Sequence, residues 1–124
     1  MFKITGVLLD VEKNTIEVKT IENSLDTFYK MLNCKSIECP TRIIQNQKFI
    51  IVCDEQGALK EDRKPSMFIV NTDDKEILEI IFGNIFITKF DGVDDFDSLT
   101  KEEIQKIFEA VRIFPEGPII VGTN

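Results

Sequence analysis

Phe49-Ile50-Ile51-Val52-Cys53-Asp54-Glu55-Gln56-Gly57-Ala58-Leu59-Lys60 is the stretch that decides the fold. Five apolar residues in a row suit a strand buried on both faces, and the abrupt change to acid and glycine marks a turn at its end. Residues 48–53 therefore read as a central strand that delivers a polar turn, 54–60, to the surface. Immediately upstream, Ile37, Cys39, Ile43 and Ile44 surround Pro40, which has no N–H for a sheet ladder, so 35–44 reads as a broken or edge strand. Asn46-Gln47 joins the two as a hairpin.

Further out, Phe2 and Ile4 alternate with Lys3 and Thr5, and Ile16 and Val18 alternate with Glu17 and Lys19. Period-two patterning of this kind predicts two strands joined around Glu12-Lys13-Asn14. Asn23 or Ser24 caps a short helix over 24–33, in which Leu25, Phe28 and Leu32 share a face and Asn33 takes the left-handed stop position. Downstream of the central turn come a charged connection (61–65), a short apolar strand (66–70) and a turn (71–75). Residues 77–90 are the greasiest block, read as strand throughout because Ile and Phe suit pleated surfaces. Gly83-Asn84 within it predicts a two-residue hairpin or a bulge.

The sharpest local signal lies at Leu99-Thr100-Lys101-Glu102-Glu103-Ile104. Thr100 and Glu103 can each satisfy the other's backbone amide, and Leu99 can pack on Ile104, which is a capping box with a hydrophobic staple. The helix it opens is predicted over 100–112, with Ile104, Ile107, Phe108 and Val111 on one face and Pro115 and Gly117 stopping it. Ile119-Ile120-Val121 adds a last strand. Together these elements predict one α+β domain over 1–124: a largely antiparallel or mixed sheet of five to seven strands, with the two helices packed on one face.

Composition narrows the function classes. The chain of 124 residues is 43% apolar and 30% charged, which is ordinary for a globular protein, and its size allows roughly two-thirds of the unfolded surface to be buried. Ten phenylalanines against one tyrosine and no tryptophan commit the aromatic area to a core. The net charge of −7 is uneven: eight acids and eight bases lie through Lys60, and fourteen acids against seven bases follow. Direct nucleic-acid binding is not expected of such a balance. Cys34, Cys39 and Cys53 form no Cys-x-x-Cys pair, and no leader or membrane-length apolar run is present, so a cytoplasmic chain with reduced thiols is expected.

No catalytic set emerges. There is no histidine to activate a thiol, and Cys53 reads as a small core residue. Asp54 and Glu55 are adjacent and point to opposite faces of a strand, so they read as turn residues, with Gly57 supplying a positive φ. The twelve residues 91–102 imitate a calcium loop, but Val93 stands at its third ligand position and Phe96 where its glycine belongs, so no metal and no cofactor is expected. Two binding surfaces remain. Arg63 and Lys64, above the turn of Asp54, Glu55 and Gly57, form a candidate anion or nucleotide cradle. Asp91, Asp94, Asp95 and Asp97 form a candidate surface for a protein partner with basic character.

The segments 52–60, Lys64-Pro65, 79–87 and 96–102, in this order and spacing, resemble a family of small proteins from phages, conjugative elements and Gram-positive bacteria known as a domain of unknown function. That family usually carries Asn-Arg after the proline, whereas here Ser66 and Met67 follow Pro65 and Arg63 precedes it. The resemblance implies a compact α+β protein of mobile-element type, and suggests inhibition of a host defence system. The expected function is thus a non-enzymatic binding or regulatory protein acting on a protein partner. A small-ligand module built on the Gly57 turn is the alternative, and an enzyme of unknown class is third.

Overall fold

The computed structural model describes residues 2–92 and 95–124. Its strands fall into two sheets. The larger is built on β1 (Lys3–Asp10), β2 (Thr15–Glu22), β5 (Gln47–Asp54) and β8 (Ile85–Phe90), with the short β3 (Ile37–Glu38), β4 (Thr41–Ile44) and β9 (Phe96–Asp97). Its order is β2-β1-β8-β5-β3, with β4 also on β5 and β9 on β8. The smaller sheet has the order β10-β11-β6-β7, from β6 (Pro65–Val70), β7 (Ile77–Phe82), β10 (Val111–Phe114) and β11 (Gly117–Gly122). All pairings are antiparallel except β11 on β6.

α+β architecture thus holds, but among the described residues eleven strands in two sheets replace the expected five to seven in one. The physical reason lies at Gly83-Asn84. β7 and β8 do not pair; they belong to different sheets, and this dipeptide is the corner between them. Gly83 takes φ +88°, which a residue with a Cβ rarely adopts. Asn84 fixes the corner: its Oδ1 accepts from the Val11 amide at 2.9 Å, and its Nδ2 donates to the Met31 carbonyl at 3.3 Å. The predicted hairpin or bulge is corrected to a crossover.

The central strand is where expected. β5 runs between β8 and the broken β3/β4 edge, and everything from Phe49 to Asp54 is buried. Pro40 breaks that edge, though its carbonyl still accepts from the Ile51 amide at 2.9 Å. The β4–β5 turn is Gln45-Asn46, both at positive φ, one residue earlier than predicted.

Alternation along the strands of the larger sheet gives it two apolar faces. One bears Ile4, Leu8, Ile50, Val52 and Phe86, and is covered by Phe28 and Leu32 of α1 (Leu25–Leu32). The other bears Val7, Leu9, Phe49, Ile51, Ile85 and Ile87, and is covered by Met67, Ile69, Ile81 and Ile120 of the small sheet. Ile107 and Ala110 pack into that same cluster from α2 (Lys101–Glu109) and its C-cap. The helices therefore lie on opposite faces of the large sheet, correcting the expectation of one face. Each fully buried Ile or Phe in these layers contributes about 1.5–3 kcal/mol relative to exposure.

The caps form as the sequence predicts. Ser24 Oγ accepts from the Thr27 amide at 3.2 Å, and Asn33 ends α1 at φ 53°. Thr100 Oγ1 accepts from the Glu103 amide at 3.2 Å, while Glu103 Oε1 accepts from the Thr100 amide at 2.8 Å. α2 ends at Glu109 and not at 112, because Val111 starts β10; Pro115 belongs to the β10–β11 turn. Phe108, placed by periodicity on the apolar face, is exposed.

Candidate functional site

Four of the five residues expected to form the cradle come together in the fold. β5 ends at Asp54, the chain makes a single 3-10 turn over Gly57–Leu59, and residues 60–64 return along the corner at Gly83, whose amide donates to the Lys64 carbonyl at 2.9 Å. Asp54, Gly57, Arg63 and Lys64 line one hollow of about 110 Å3, together with Glu12, Asn33, Lys60 and Asn84. Glu55 does not join them. It lines a separate groove with Arg42 and Glu79, and its amide donates to the Ser36 carbonyl.

Gly57 is needed for a reason other than the predicted one. Its φ is not positive; instead, a Cβ there would stand 2.7 Å from the carbonyl oxygen of Phe82. The turn packs directly onto the backbone at the end of β7, and only hydrogen fits in the gap.

Charges in the hollow are largely spoken for. The Asp54 carboxylate, only 5% exposed, accepts from the Gln56 amide and from Lys60 Nζ, each at 2.8 Å. Lys60 also donates to the Asn33 carbonyl at 3.2 Å, placing a cation on the negative C-terminal end of α1. The hydrogen bond to Asp54 raises the Lys60 ammonium above its ordinary value, against a smaller opposing effect of burial. Lys64 meets Glu12 at 3.7 Å, with both groups exposed. Arg63 lies over the Phe82 ring at 4.8 Å and is in no ion pair among the described residues.

Beyond Lys60 a second hollow of about 490 Å3 opens, with Tyr29, Lys30, Cys34, Lys35, Ser36 and Gln56 in its wall. Asn33, Asp54 and Lys60 line both hollows. Sequence reading missed the α1 side of this site, since nothing local links 29–36 to 54–64.

The acidic loop behaves differently. Asp95 Oδ1 accepts from Asn23 Nδ2 at 2.7 Å and from the Phe96 amide at 2.8 Å, and Asp97 Oδ1 accepts from the Ser98 amide at 2.8 Å. The Asp91 amide donates to the Asp95 carbonyl at 2.9 Å. Asp95 and Asp97 each accept from the amide that follows them, and Asp95 also ties the segment to Asn23. Asp94 lies outside the described residues, and among those described no three His, Cys, Asp or Glu side chains gather to hold a metal.

Cys53 is buried as predicted; burial, reinforced by the charge of Glu38, pushes its thiol up to about 12, too high for a nucleophile at neutral pH. Burial also raises Cys34, where Asp54 adds to it, and Cys39.

A second surface was not anticipated. Across the small sheet, Ile120, Met67 and Ile81 are register partners facing the core, and the next row, Val121, Phe68 and Ile80, faces away. Phe114 packs its ring edgewise on Phe68 at 5.3 Å. This outer row is apolar, with Arg112 on the same side of β10, and β7 at its margin has one strand neighbour, β6. Ile77, Leu78 and Ile80 of that margin are exposed, as is Ile113 of β10, at 79%. The one charged residue of β7, Glu79, is taken by Arg42 at 2.9 Å.

Among the described residues no helix is long and apolar enough to cross a membrane. No curated protein and no solved structure matches the chain. A family model, however, matches residues 4–112, all but the last strand and a half of the architecture above, and the chain belongs to that family, the domain of unknown function DUF3846.

Proposed function

We propose that this chain is a non-enzymatic binding protein whose β7 margin takes up an extended apolar segment of another protein. One observation carries the reading. β7 is an edge strand with three exposed aliphatic side chains and a single charge already neutralised by Arg42, and natural edges of this kind are normally blunted by charge, proline or a covering element. A strand added at such an edge gains backbone hydrogen bonds, while the outer face beside it supplies apolar contact. The turn leading into β7 carries exposed Asp73, Asp74 and Glu76, so a segment with flanking basic residues suits it. The basic partner expected opposite residues 91–97 is thus moved to 73–80. On the resemblance described above, we take the chain to be of phage or mobile-element type, working in the cytoplasm, with inhibition of a host defence system as its role.

The test uses affinity capture from host lysate with the full chain and with Ile80→Lys, both checked for fold by circular dichroism and for mass by light scattering. A protein retained by the wild type, lost with Ile80→Lys and kept by an Arg63→Ala/Lys64→Ala variant supports the reading. Its retention by Ile80→Lys would sink it. Dimerisation abolished by Ile80→Lys would reassign the edge to a second copy of this chain.

A further inference from the structure

We propose that the paired hollows beside the Gly57 turn bind an organic phosphate, its phosphoryl group held by Arg63 and Lys64 and its organic part lying against Tyr29. This is independent of the β7 margin. The first hollow, at about 110 Å3, is the smaller of the two, and Arg63 and Lys64 stand in its wall. The second, at about 490 Å3, falls within the range of small-molecule sites. Asn33, Asp54 and Lys60 belong to the walls of both, so a ligand with one compact anionic end and one larger end spans them around Lys60.

Charge selects the anion. The first hollow holds three cations (Lys60, Arg63, Lys64) and three carboxylates (Glu12, Asp54, Asp62), and the second adds Lys30 and Lys35 with no further carboxylate, in a chain whose net charge is −7. Asp54 is consumed by Lys60, and Lys30, Lys35 and Arg63 are in no ion pair among the described residues. The excess of two cations across the paired walls, in an acidic protein, draws anions out of proportion to the total charge. Arg63 sits over the Phe82 ring and donates from Nη1 to the Lys60 carbonyl at 3.5 Å, which anchors the guanidinium and leaves further N–H groups to donate to phosphate oxygens. Glu12 competes for Lys64 across 3.7 Å, but an exposed pair at that distance contributes little and gives way.

The organic end is read from Tyr29, the only tyrosine of the chain. Its half-buried ring stands in the wall of the larger hollow with a hydroxyl that has no hydrogen-bond partner among the described residues. Ser36 and Gln56 add polar groups beside it. An aromatic wall with a polar tip fits a ring that itself carries hydrogen-bonding atoms.

Thermal melts and calorimetric titration with inorganic phosphate, ribose 5-phosphate, AMP, UMP and unphosphorylated adenosine test the proposal on the full chain. The expected result is a melt raised by several degrees by at least one organic phosphate, less by inorganic phosphate and not by adenosine. Tyr29→Ala should weaken that organic phosphate by roughly tenfold and leave inorganic phosphate unchanged. Arg63→Ala/Lys64→Ala, both exposed positions, should remove binding of either. Equal shifts from inorganic phosphate and every organic phosphate would overturn the assignment of the larger hollow. No shift from any of them would overturn the site altogether, leaving the β7 reading to its own test.

Discussion

Two acidic regions lie at opposite fates in this molecule. The loop over 91–98 has the densest negative charge in the sequence, yet Asp95 and Asp97 spend their carboxylates on neighbouring amides and on Asn23. The stretch over 54–64 has mixed charge and looks unremarkable, yet its side chains meet those of α1 and of the Gly83 corner around two hollows. Short polar side chains next to free amides fold their own turn first. Whether charges form a site depends on what packs opposite them: Asp95 meets a single side chain, Asn23, whereas residues 54–64 meet α1 and the Gly83 corner around two hollows.

The most severe way to break this contrast is to fill the gap under the Gly57 turn. Gly57→Ala would drive a methyl to 2.7 Å from a backbone oxygen, which cannot swing aside as a side chain would. The expected loss is roughly 3 kcal/mol, the upper end of overpacking costs. Urea unfolding measures it, and an unchanged midpoint would mean that the turn rides freely on β7.

A matched pair of carboxylate deletions is next. Asp54→Ala strips a buried acceptor from the Gln56 amide and from Lys60, for which about 2 kcal/mol is expected. Asp97→Ala removes one exposed local bond and should stay within about 0.5 kcal/mol. Equal losses in denaturant titrations would erase the distinction between the two regions.

The segment just past the acidic loop sharpens the comparison, because there a polar contact does hold an element. Thr100→Ala should cost about 1 kcal/mol through loss of the α2 cap, more than Asp97→Ala. A melting temperature equal to that of Asp97→Ala would show that the box adds nothing.

Glu103 supplies the smallest effect, seen through pH. Burial raises its pKa, but bonds from the Thr100 amide, Lys89 and Gln47 outweigh burial and hold it below the ordinary value of 4.5. A carboxylate depressed in the folded state contributes stability that is complete above its unfolded pKa and lost as pH falls through the folded one. Glu103→Gln should therefore melt below the wild type at neutral pH, and the two should converge as pH drops below 4.5. A constant difference across that window would assign the loss to packing and not to charge.

Much of this arrangement is legible in the sequence, for identifiable reasons. The β1–β2 hairpin follows from alternation, the buried β5 from its apolar run, and the α2 start from Thr100 and Glu103. Each is decided within a few residues. What local reading misses is decided across the chain. Gly83-Asn84 has the composition of a hairpin turn, and only the bonds from Asn84 to Val11 and Met31 make it a passage between sheets. Val111 continues the helical period of Ile104 and Ile107, but pairing with Ile120 draws it into β10. Asp54, Gly57, Arg63 and Lys64 are close in sequence and line one hollow. Tyr29, Asn33 and Lys35 join them through the packing of α1 on the large sheet, for which no sequence spacing gives a sign.

The parallel pairing of β11 with β6 also sets a timetable. Residues 117–122 are made about fifty positions after their partner, and loop closure over such a span is slow. Until they arrive, Met67 and Ile69 lack a neighbour on that side, and β6 and β7 are a bare hairpin with apolar residues on both surfaces. A nascent chain stalled before Gly117 would expose this hairpin to other chains. Ribosome-bound intermediates of this length should accordingly depend on chaperones, and release from them should coincide with the pairing of residues 117–122 on β6.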